Sequence, residues 1–511
     1  MRNAIETLDG EKFDVLVIGA GVSGANTVES LAVAGYKALI VDKGDFGSGA
    51  TSKASKIAHC GLIYLAPIKS AWEYVADPRK LLRALRIAAP MMKARADLVR
   101  NVPHRMRGFD FYYPIYKETP YSPWQARLGF RMLAASGPKD VPLQQAMVKP
   151  SEVRSNPLLS KLRDFDKIKS FARFREYQFN WQERLCVDAV MRAERLGAKS
   201  RNYCEVTKAT KDAAGTWHVE LADRAGGNGK ATVTAGAIVN AAGPWIDTVN
   251  GRFDHPVQRC VRSTKGVHMM VRLPEDCGNI GVVTSNELQG MFQAIPWRDG
   301  LYYFGPTETE HDGPITDVVP TEHDINLLLE SCRQMYPALN LTRKDVVFAW
   351  AGLRPLTYNG PTPSGRDRKL HDIGNGLAKG FALTWGRLID QRSTGALIAE
   401  NIMKVLKPSS TPKQSAFVSP ETVVSGSLTK GLTPEIVAEL KRAARSEQVL
   451  NLADLLLRRT NIGFSDLLKK DDVVAIAGHV APDLGWDNAR AAAEVDDYVA
   501  YMKHNHLLTV S

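Results

Sequence analysis

The stretch from Phe13 to Lys43, FDVLVIGAGVSGANTVESLAVAGYKALIVDK, restricts the fold more than any other part of this chain. Val15 to Ile18 is a short apolar run that predicts a buried parallel strand. Gly19, Gly21 and Gly24 follow with G-x-G-x-x-G spacing. Ala25 to Ala34 has helical spacing, and Lys37 to Val41 predicts a second strand ending at Asp42. Together they make one βαβ unit of about 30 residues, the length of a dinucleotide-binding unit. Gly19 makes the tight turn, Gly21 admits a pyrophosphate to the backbone, and Gly24 lets the helix pack closely on the strand. The helix N-terminus supplies free N–H groups and the positive end of its dipole. Asp42 falls where a carboxylate accepts hydrogen bonds from both ribose hydroxyls. A lone glycine triplet is weak evidence. Strand, glycines, helix, second strand and acid in register predict an adenine dinucleotide site.

The chain has 511 residues, room for two to three domains and for a core that needs no staples. At 44% hydrophobic and 24% charged, it has an ordinary globular composition. Its six cysteines are scattered with no CxxC pair, which argues against a disulfide framework or a zinc site and for a reducing compartment. No metal is expected. The first residues, MRNAIETLDGEKFD, lack a basic segment followed by an apolar run, so no secretory signal is expected. No stretch reaches the ~18 uncharged apolar residues of a membrane span. The net charge of +11 has three competing explanations: nucleic acid, an anionic membrane surface, or anionic substrates and cofactors. Arg79, Arg83 and Arg86 alternate with Leu81, Leu82, Leu85 and Ile87 at helical spacing. Such a helix either lies on a lipid surface or presents a solvated face of a packed helix.

After Asp42, the Gly/Ser-rich loop from Lys43 to Ser52 offers Thr51 and Ser52 hydroxyls and backbone N–H groups to a diphosphate or a flavin ring. From Ala66 to Phe179 run helix-period stretches and aromatic, Pro-containing segments such as Phe109 to Pro114, read as an inserted substrate domain. Val187 to Leu196 predicts a helix and Ala198 to Thr207 a single strand. Thr216 to Leu221 and Lys230 to Val239 predict strands paired across the Gly226–Gly229 turn. The second runs into Ala241-Ala242-Gly243-Pro244-Trp245, small residues past which a cofactor approaches the backbone. The distance of this turn from Gly19 favours FAD over NAD.

Thr51-Ser52-Lys53-Ala54-Ser55-Lys56-Ile57-Ala58-His59-Cys60-Gly61-Leu62-Ile63-Tyr64-Leu65 resembles the pattern TSS-x-SSKLIHGG-[LV]-RYL of the FAD-dependent, quinone-linked glycerol-3-phosphate dehydrogenases, within the D-amino-acid-oxidase-like flavoproteins. It is one residue shorter near Ser55, Cys60 stands for a Gly, and Ile63 stands for an Arg of the family's phosphate clamp. One lost guanidinium–phosphate contact is worth about 1.5–3 kcal/mol. The resemblance continues through VRSTKGVHMMV, where Lys265, Gly266 and His268 match a Lys-Gly-x-His core. It also covers the Ile-Pro-Trp and the Gly-Thr-Thr-Asp-like turn around Thr307, and FAWAGLRPL, which carries Arg354. In GFALTWGRLIDQR, Trp385 and Arg387 replace the family's Gly and Lys. Beyond the KPSSTPKQ linker, Pro434 to Asn505 resembles the family's C-terminal helical domain.

The resemblance implies an α/β fold: a FAD-binding Rossmann-like domain (1–75, 180–255 and 355–408), an interleaved α+β substrate domain (76–179 and 256–354) and a C-terminal helical domain (415–511). It implies FAD held by Gly19, Gly21, Gly24, Asp42, Thr51, Ser52, the backbone near Val206, Ala242, Gly243 and Gly386, with a helix N-terminus near Gly386 aimed at the flavin. It places His59, Tyr64, Lys265, Thr307 and Arg354 at the substrate, His268 as the base, and Arg354 and Arg387 at an anionic group. The reaction implied is oxidation of the secondary alcohol of glycerol 3-phosphate or a related polyol phosphate, with electrons passed to a quinone. A cytoplasmic protein, peripheral on the inner face of the membrane and with no nucleic acid partner, follows; a homodimer stays open. Two alternatives also stand: a related oxidase of an amine, hydroxy acid or unphosphorylated polyol, and a FAD-binding protein without catalysis.

Overall fold

The computed structural model describes residues 2–62, 73–286, 288, 290–360, 365–376, 379–414, 428, 431–464, 468–508 and 510. Ile63 and Tyr64 lie outside them.

The glycine-turn unit forms as its sequence predicts. Strand Lys12–Ile18 pairs in parallel with Ala38–Val41, with Val15 opposite Ala38 and Ile18 opposite Val41. On its other side it pairs in parallel with Lys230–Asn240. These strands are buried on both faces, and that is why they read as continuous apolar runs. The helix between them spans Val22–Val33, three residues earlier than its apolar spacing suggests, because Gly21 sits at the N-cap. Gly19 has φ +96°, and a methyl there would lie 2.8 Å from the Ala241 carbonyl oxygen. At Gly24 a methyl would lie 1.8 Å from the Gly19 carbonyl oxygen. Only glycine lets strand, helix and the Ala241-Ala242 turn converge.

Outward from this centre the eight-stranded sheet adds Lys199–Arg201 at one edge, and Lys379–Thr384 and Lys369–Asp372 at the other. Trp217–Asp223 pairs antiparallel with Lys230–Asn240 across the predicted glycine turn. The single strand expected over Ala198 to Thr207 is two, Lys199–Arg201 and Cys204–Lys211. Tyr203 breaks it at φ +48°, where the Tyr203 and Cys204 N–H groups donate to the carbonyls of Gly44 and Asp42. The first piece continues the parallel sheet; the second turns away to pair antiparallel with Trp217–Asp223. Helix Gln182–Arg195 starts five residues before the predicted Val187 and packs against Val22–Val33.

The second sheet has nine strands, mostly antiparallel, and draws on both inserted regions: Met106–Tyr116, Ile168–Phe179 and the strands between Val261 and Thr357. The aromatic run Phe109 to Pro114 lies within one of its long strands, with Phe109 and Phe111 in the core. Val261–Arg272 pairs antiparallel with Val346–Thr357 over almost its whole length. This register sets Thr264 opposite Arg354, Gly266 opposite Gly352, and His268 opposite Trp350. Because strand side chains alternate, Gly266 and His268 share one face and Lys265 takes the other.

The C-terminal helices Pro434–Ser446, Lys470–Leu484 and Asn488–His506 bury Leu440, Val480, Tyr498 and Met502 in a core shared with the second sheet. The segment between the first two of them, which carries Glu447, Arg458 and Arg459, also grips the nucleotide domain through buried charges. Asp45, three residues after Asp42, accepts from Arg458 at 2.6 Å and from Arg459 at 2.7 Å, with all three side chains buried. Arg184 bridges to Glu447 in the same seam. Removing one partner of such a pair leaves an uncompensated buried charge, at a cost of about 3–5 kcal/mol.

Candidate active site

A cavity of about 1080 Å³ runs between the two sheets, at or above the upper end of the ~300–1,000 Å³ typical for drug-sized ligands. One end is walled by Gly19, Gly21, Asp42, Thr51, Val206, Ala242 and Gly243. Asp42 accepts the Ala20 N–H at 2.6 Å on Oδ2 and the Gly44 N–H at 2.9 Å on Oδ1. Burial raises its carboxyl pKa against these two bonds. Thr51 Oγ1 accepts the Val22 N–H at 3.0 Å, so the loop hydroxyl holds the helix N-terminus in place. Gly243, at φ +57°, leaves open space where a side chain would project. Trp245 lies under Gly49 with the Lys43 ammonium 4.6 Å above its ring. A helix N-terminus, a carboxylate at the end of the second strand and two bare backbone turns suit a dinucleotide.

The other end is walled by His59, Gly266, His268, Arg354, Arg366, Trp385, Gly386 and Arg387. His268 is 2% exposed and stacks on Trp350 at 4.8 Å, with 11° between ring planes. Neither ring nitrogen has a hydrogen-bond partner among the described residues. Burial, then the charges of Arg354 and Lys56, push its pKa well below the usual histidine range, so the ring is neutral. Arg354 reaches over Gly266, where a methyl would lie 2.5 Å from its Nη2. Nη2 donates to the Thr307 carbonyl at 3.1 Å, while buried Nη1 has no partner among the described residues. Thr307 is fully buried, and its Oγ1 accepts the Val267 N–H. It orients Arg354 and does not line the cavity.

The expected residues separate into two groups. The cofactor residues named above, with Gly386, His59, His268, Arg354 and Arg387, come together on the cavity. Lys265 does not. It is on the opposite strand face and donates to Asp324 at 2.6 Å, where Asp324 also takes part in the N-terminal cap of helix Glu322–Met335. Ser52 turns its hydroxyl back to the carbonyls of Ser48 and Gly49. Gly24 acts behind the wall, in helix packing. Arg387 donates to Asp390 at 2.7 Å, and the helix beyond starts only at Gln391. His59 is lowered to about 4 by burial and then by Arg387.

Sequence reasoning missed Lys56. At φ +59° and 2% exposed, it lines the cavity, sits 3.7 Å from Glu183 and lies 4.2 Å over the Phe464 ring. Burial lowers it to about 8 against the pull of Glu183. Arg366, Arg458, Tyr501 and Asn505 also reach the cavity, so the C-terminal helices close part of its wall. A lysine inside the small-residue run SKIAH was the only local signal for the first.

Fold and site define a dinucleotide-dependent oxidoreductase: a glycine-turn sheet for the cofactor, and a second sheet bringing a neutral histidine and an arginine to the same cavity. The family profile "FAD dependent oxidoreductase" matches residues 14–386, and the chain belongs to that family. Its cofactor is FAD. A second profile, "C-terminal domain of alpha-glycerophosphate oxidase", matches residues 400–491. The chain is 28% identical over 406 residues to the aerobic glycerol-3-phosphate dehydrogenases of Staphylococcus haemolyticus and Staphylococcus aureus, covering 79% of this chain and 69% of theirs. Its fold matches glycerol-3-phosphate dehydrogenase from Bacillus halodurans complexed with FAD at TM-score 0.71 and 20% identity, covering 98% and 96% of the two chains. It also matches L-alpha-glycerophosphate oxidase from Mycoplasma pneumoniae with FAD bound, at TM-score 0.56 and 16% identity over 79% and 97%. The family read from the motifs is borne out, down to the C-terminal domain.

Proposed function

We propose that the protein oxidises the secondary alcohol of glycerol 3-phosphate or a related polyol phosphate. The observation that carries this is the pairing, on one cavity wall, of a neutral His268 with Arg354, whose ring nitrogens and Nη1 respectively have no partner among the described residues. When bound, FAD supplies the two-electron hydride acceptor. Arg354 Nη1 donates to the substrate's anionic group and so fixes where its carbinol carbon lies. A free ring nitrogen of His268 accepts the hydroxyl proton as the carbon loses its hydride, and the product is a ketone. Its lowered pKa keeps His268 ready to accept that proton throughout the neutral range. Gly19, Gly21, Asp42, Thr51, Val206, Ala242, Gly243 and Gly386 hold the cofactor. His59 and Arg387 complete the wall beside the substrate. The dehydrogenase names of the Staphylococcus relatives support this reading.

We assign the electron acceptor to a quinone at an anionic membrane surface. Among the described residues no helix is long and apolar enough to cross a membrane. Helix Pro78–Asn101 exposes Arg79, Lys80, Leu82, Arg83 and Arg86, and helix Pro123–Ala135 exposes Trp124, Arg127, Leu128 and Arg131. Basic residues mixed with an exposed tryptophan and leucines suit the headgroup region of an anionic bilayer.

The test is anaerobic titration of the FAD-loaded protein with glycerol 3-phosphate, four-carbon polyol phosphates, glycerol, 2-hydroxy acids and amines. Flavin bleaching by a phosphorylated polyol, with electrons recovered on a soluble quinone, is the expected result. Bleaching by a hydroxy acid or amine alone replaces this reading with the corresponding oxidase. No bleaching by any of them leaves a flavin-binding protein without this activity.

A further inference from the structure

Trp385 stands where the family pattern has glycine, and its backbone is at φ +54°. Glycine occupies that region freely, whereas a bulky side chain is strained there and persists only when its surroundings hold it. Its N–H donates to the Pro355 carbonyl at 3.1 Å, which fixes it beside Arg354. The indole Nε1–H is buried and has no acceptor among the described residues. Buried indole N–H groups usually have a partner. The Arg366 guanidinium lies 5.9 Å from the indole ring and is ion-paired to Glu308. Trp385, Arg354, Arg366 and Glu308 all line the substrate end of the cavity.

The surrounding cations are already matched. Arg387 is paired with Asp390 and Arg366 with Glu308. Among the described arginines of the cavity wall, Arg354 is the one with no carboxylate in ion-pair range. A tryptophan held at positive φ thus brings an indole donor to the same end of the cavity as the Arg354 Nη1, and neither has a partner among the described residues.

We propose that Trp385 is a specificity-determining residue: its indole N–H and Arg354 Nη1 together receive the oxyanion carried by the alcohol substrate. This rests on the function proposed above and names a second donor at its anion-binding end. Phosphate monoester and carboxylate share the oxyanion chemistry, and the assay separates them.

Trp385→Phe keeps the ring and removes the donor; Trp385→Gly restores the family residue and frees the backbone. Each is compared, FAD-loaded, with wild type and with the surface control Trp124→Phe. Binding of inorganic phosphate is measured by calorimetry, and kcat and KM on glycerol 3-phosphate, glycerate and glycerol. The expected result is about ten-fold weaker phosphate binding and about ten-fold higher KM on glycerol 3-phosphate for both Trp385 variants, the loss of one hydrogen bond to a charged acceptor. The change falls on KM rather than kcat, glycerol discriminates little between the proteins, and Trp124→Phe matches wild type. A shift on glycerate with none on glycerol 3-phosphate reassigns the pair to a carboxylate and overturns the phosphate assignment. Wild-type phosphate affinity in Trp385→Phe or Trp385→Gly overturns the inference while the proposed function stands. A wild-type protein that binds no phosphate and oxidises no phosphorylated polyol removes both.

Discussion

Gly266 and Arg354 are neighbours across two antiparallel strands, and the guanidinium occupies the space a side chain at Gly266 would need. A methyl there would lie 2.5 Å from Nη2 and 2.7 Å from Cζ. The glycine of the Lys-Gly-x-His core thus makes room for the cation two residues before the base, and one strand register delivers both groups to the cavity. Gly266→Ala should displace Arg354 while leaving the sheet paired. The expected outcome is a KM on the anionic substrate raised ten- to a hundred-fold, the value of one charge-assisted contact, with the circular dichroism of the fold retained. Unchanged KM would show that Arg354 does not meet the substrate.

Lys265 gives the opposite expectation. Its ammonium is matched to Asp324 on the far side of the strand, with both side chains largely buried. Lys265→Met leaves Asp324 buried and unpaired at the start of helix Glu322–Met335. The protein should lose about 3 kcal/mol of stability, read as a lower denaturation midpoint, while KM on the substrate stays within two-fold of wild type. A KM effect without a stability effect would return Lys265 to the substrate.

The nucleotide half of the site was legible because its constraints are local. Gly19, Gly21, Gly24 and Asp42 sit within one βαβ unit, where each residue's task follows from backbone geometry. Arg354 and His268 were legible through the motifs around them, but their meeting depends on a pairing between strands some 90 positions apart. Lys265 shows the limit of motif transfer: adjacent residues on a strand face opposite sides, and only the sheet decides which side is the cavity. The break at Tyr203 was invisible because it is imposed from outside, by carbonyls of the Asp42–Gly44 segment. The C-terminal contributors Arg458, Tyr501 and Asn505 were missed for a similar reason, since nothing near them in sequence says which cavity a distant helix will close.

Acid should destabilise the protein through buried histidines. His268 and His506 are held well below the usual histidine range, each chiefly by burial, and His59 is lowered to about 4. Below pH ~6.5 the unfolded chain binds protons that the native state refuses. Stability therefore falls as pH drops through that value, by about 1.4 kcal/mol per pH unit for each such group, and these histidines contribute nothing above it. His506 Nδ1–H donates to the Ala349 carbonyl at 3.0 Å and lies outside the proposed chemistry. In His506→Gln the slope of unfolding free energy against pH between 6 and 5 should be shallower by about one proton than in wild type. Parallel slopes would mean that His506 titrates normally in the folded state. By the same reasoning, kcat/KM should show no acid limb near pH 6.5, because His268 is neutral there.

Attachment to a membrane should depend on helix Pro123–Ala135 more than on charge alone. Trp124 is 62% exposed and Leu128 52%, one turn apart on a face that also carries Arg127 and Arg131. On the neighbouring helix Leu82 is 56% exposed between Arg79 and Arg83. Arginines attract the surface to anionic headgroups over a Debye length of about 10 Å, and apolar side chains then hold it by burial. Salt should weaken the first contribution and leave the second. Trp124→Ser with Leu128→Ser should reduce partitioning onto phosphatidylserine-containing vesicles at least ten-fold at 0.15 M salt, since full burial of one such side chain is worth about 1.5–3 kcal/mol. Turnover with a soluble quinone should be unaffected, while turnover with quinone dissolved in the vesicles should fall with binding. Equal partitioning of variant and wild type would leave these helices as ordinary solvated faces and overturn their assignment to the membrane surface.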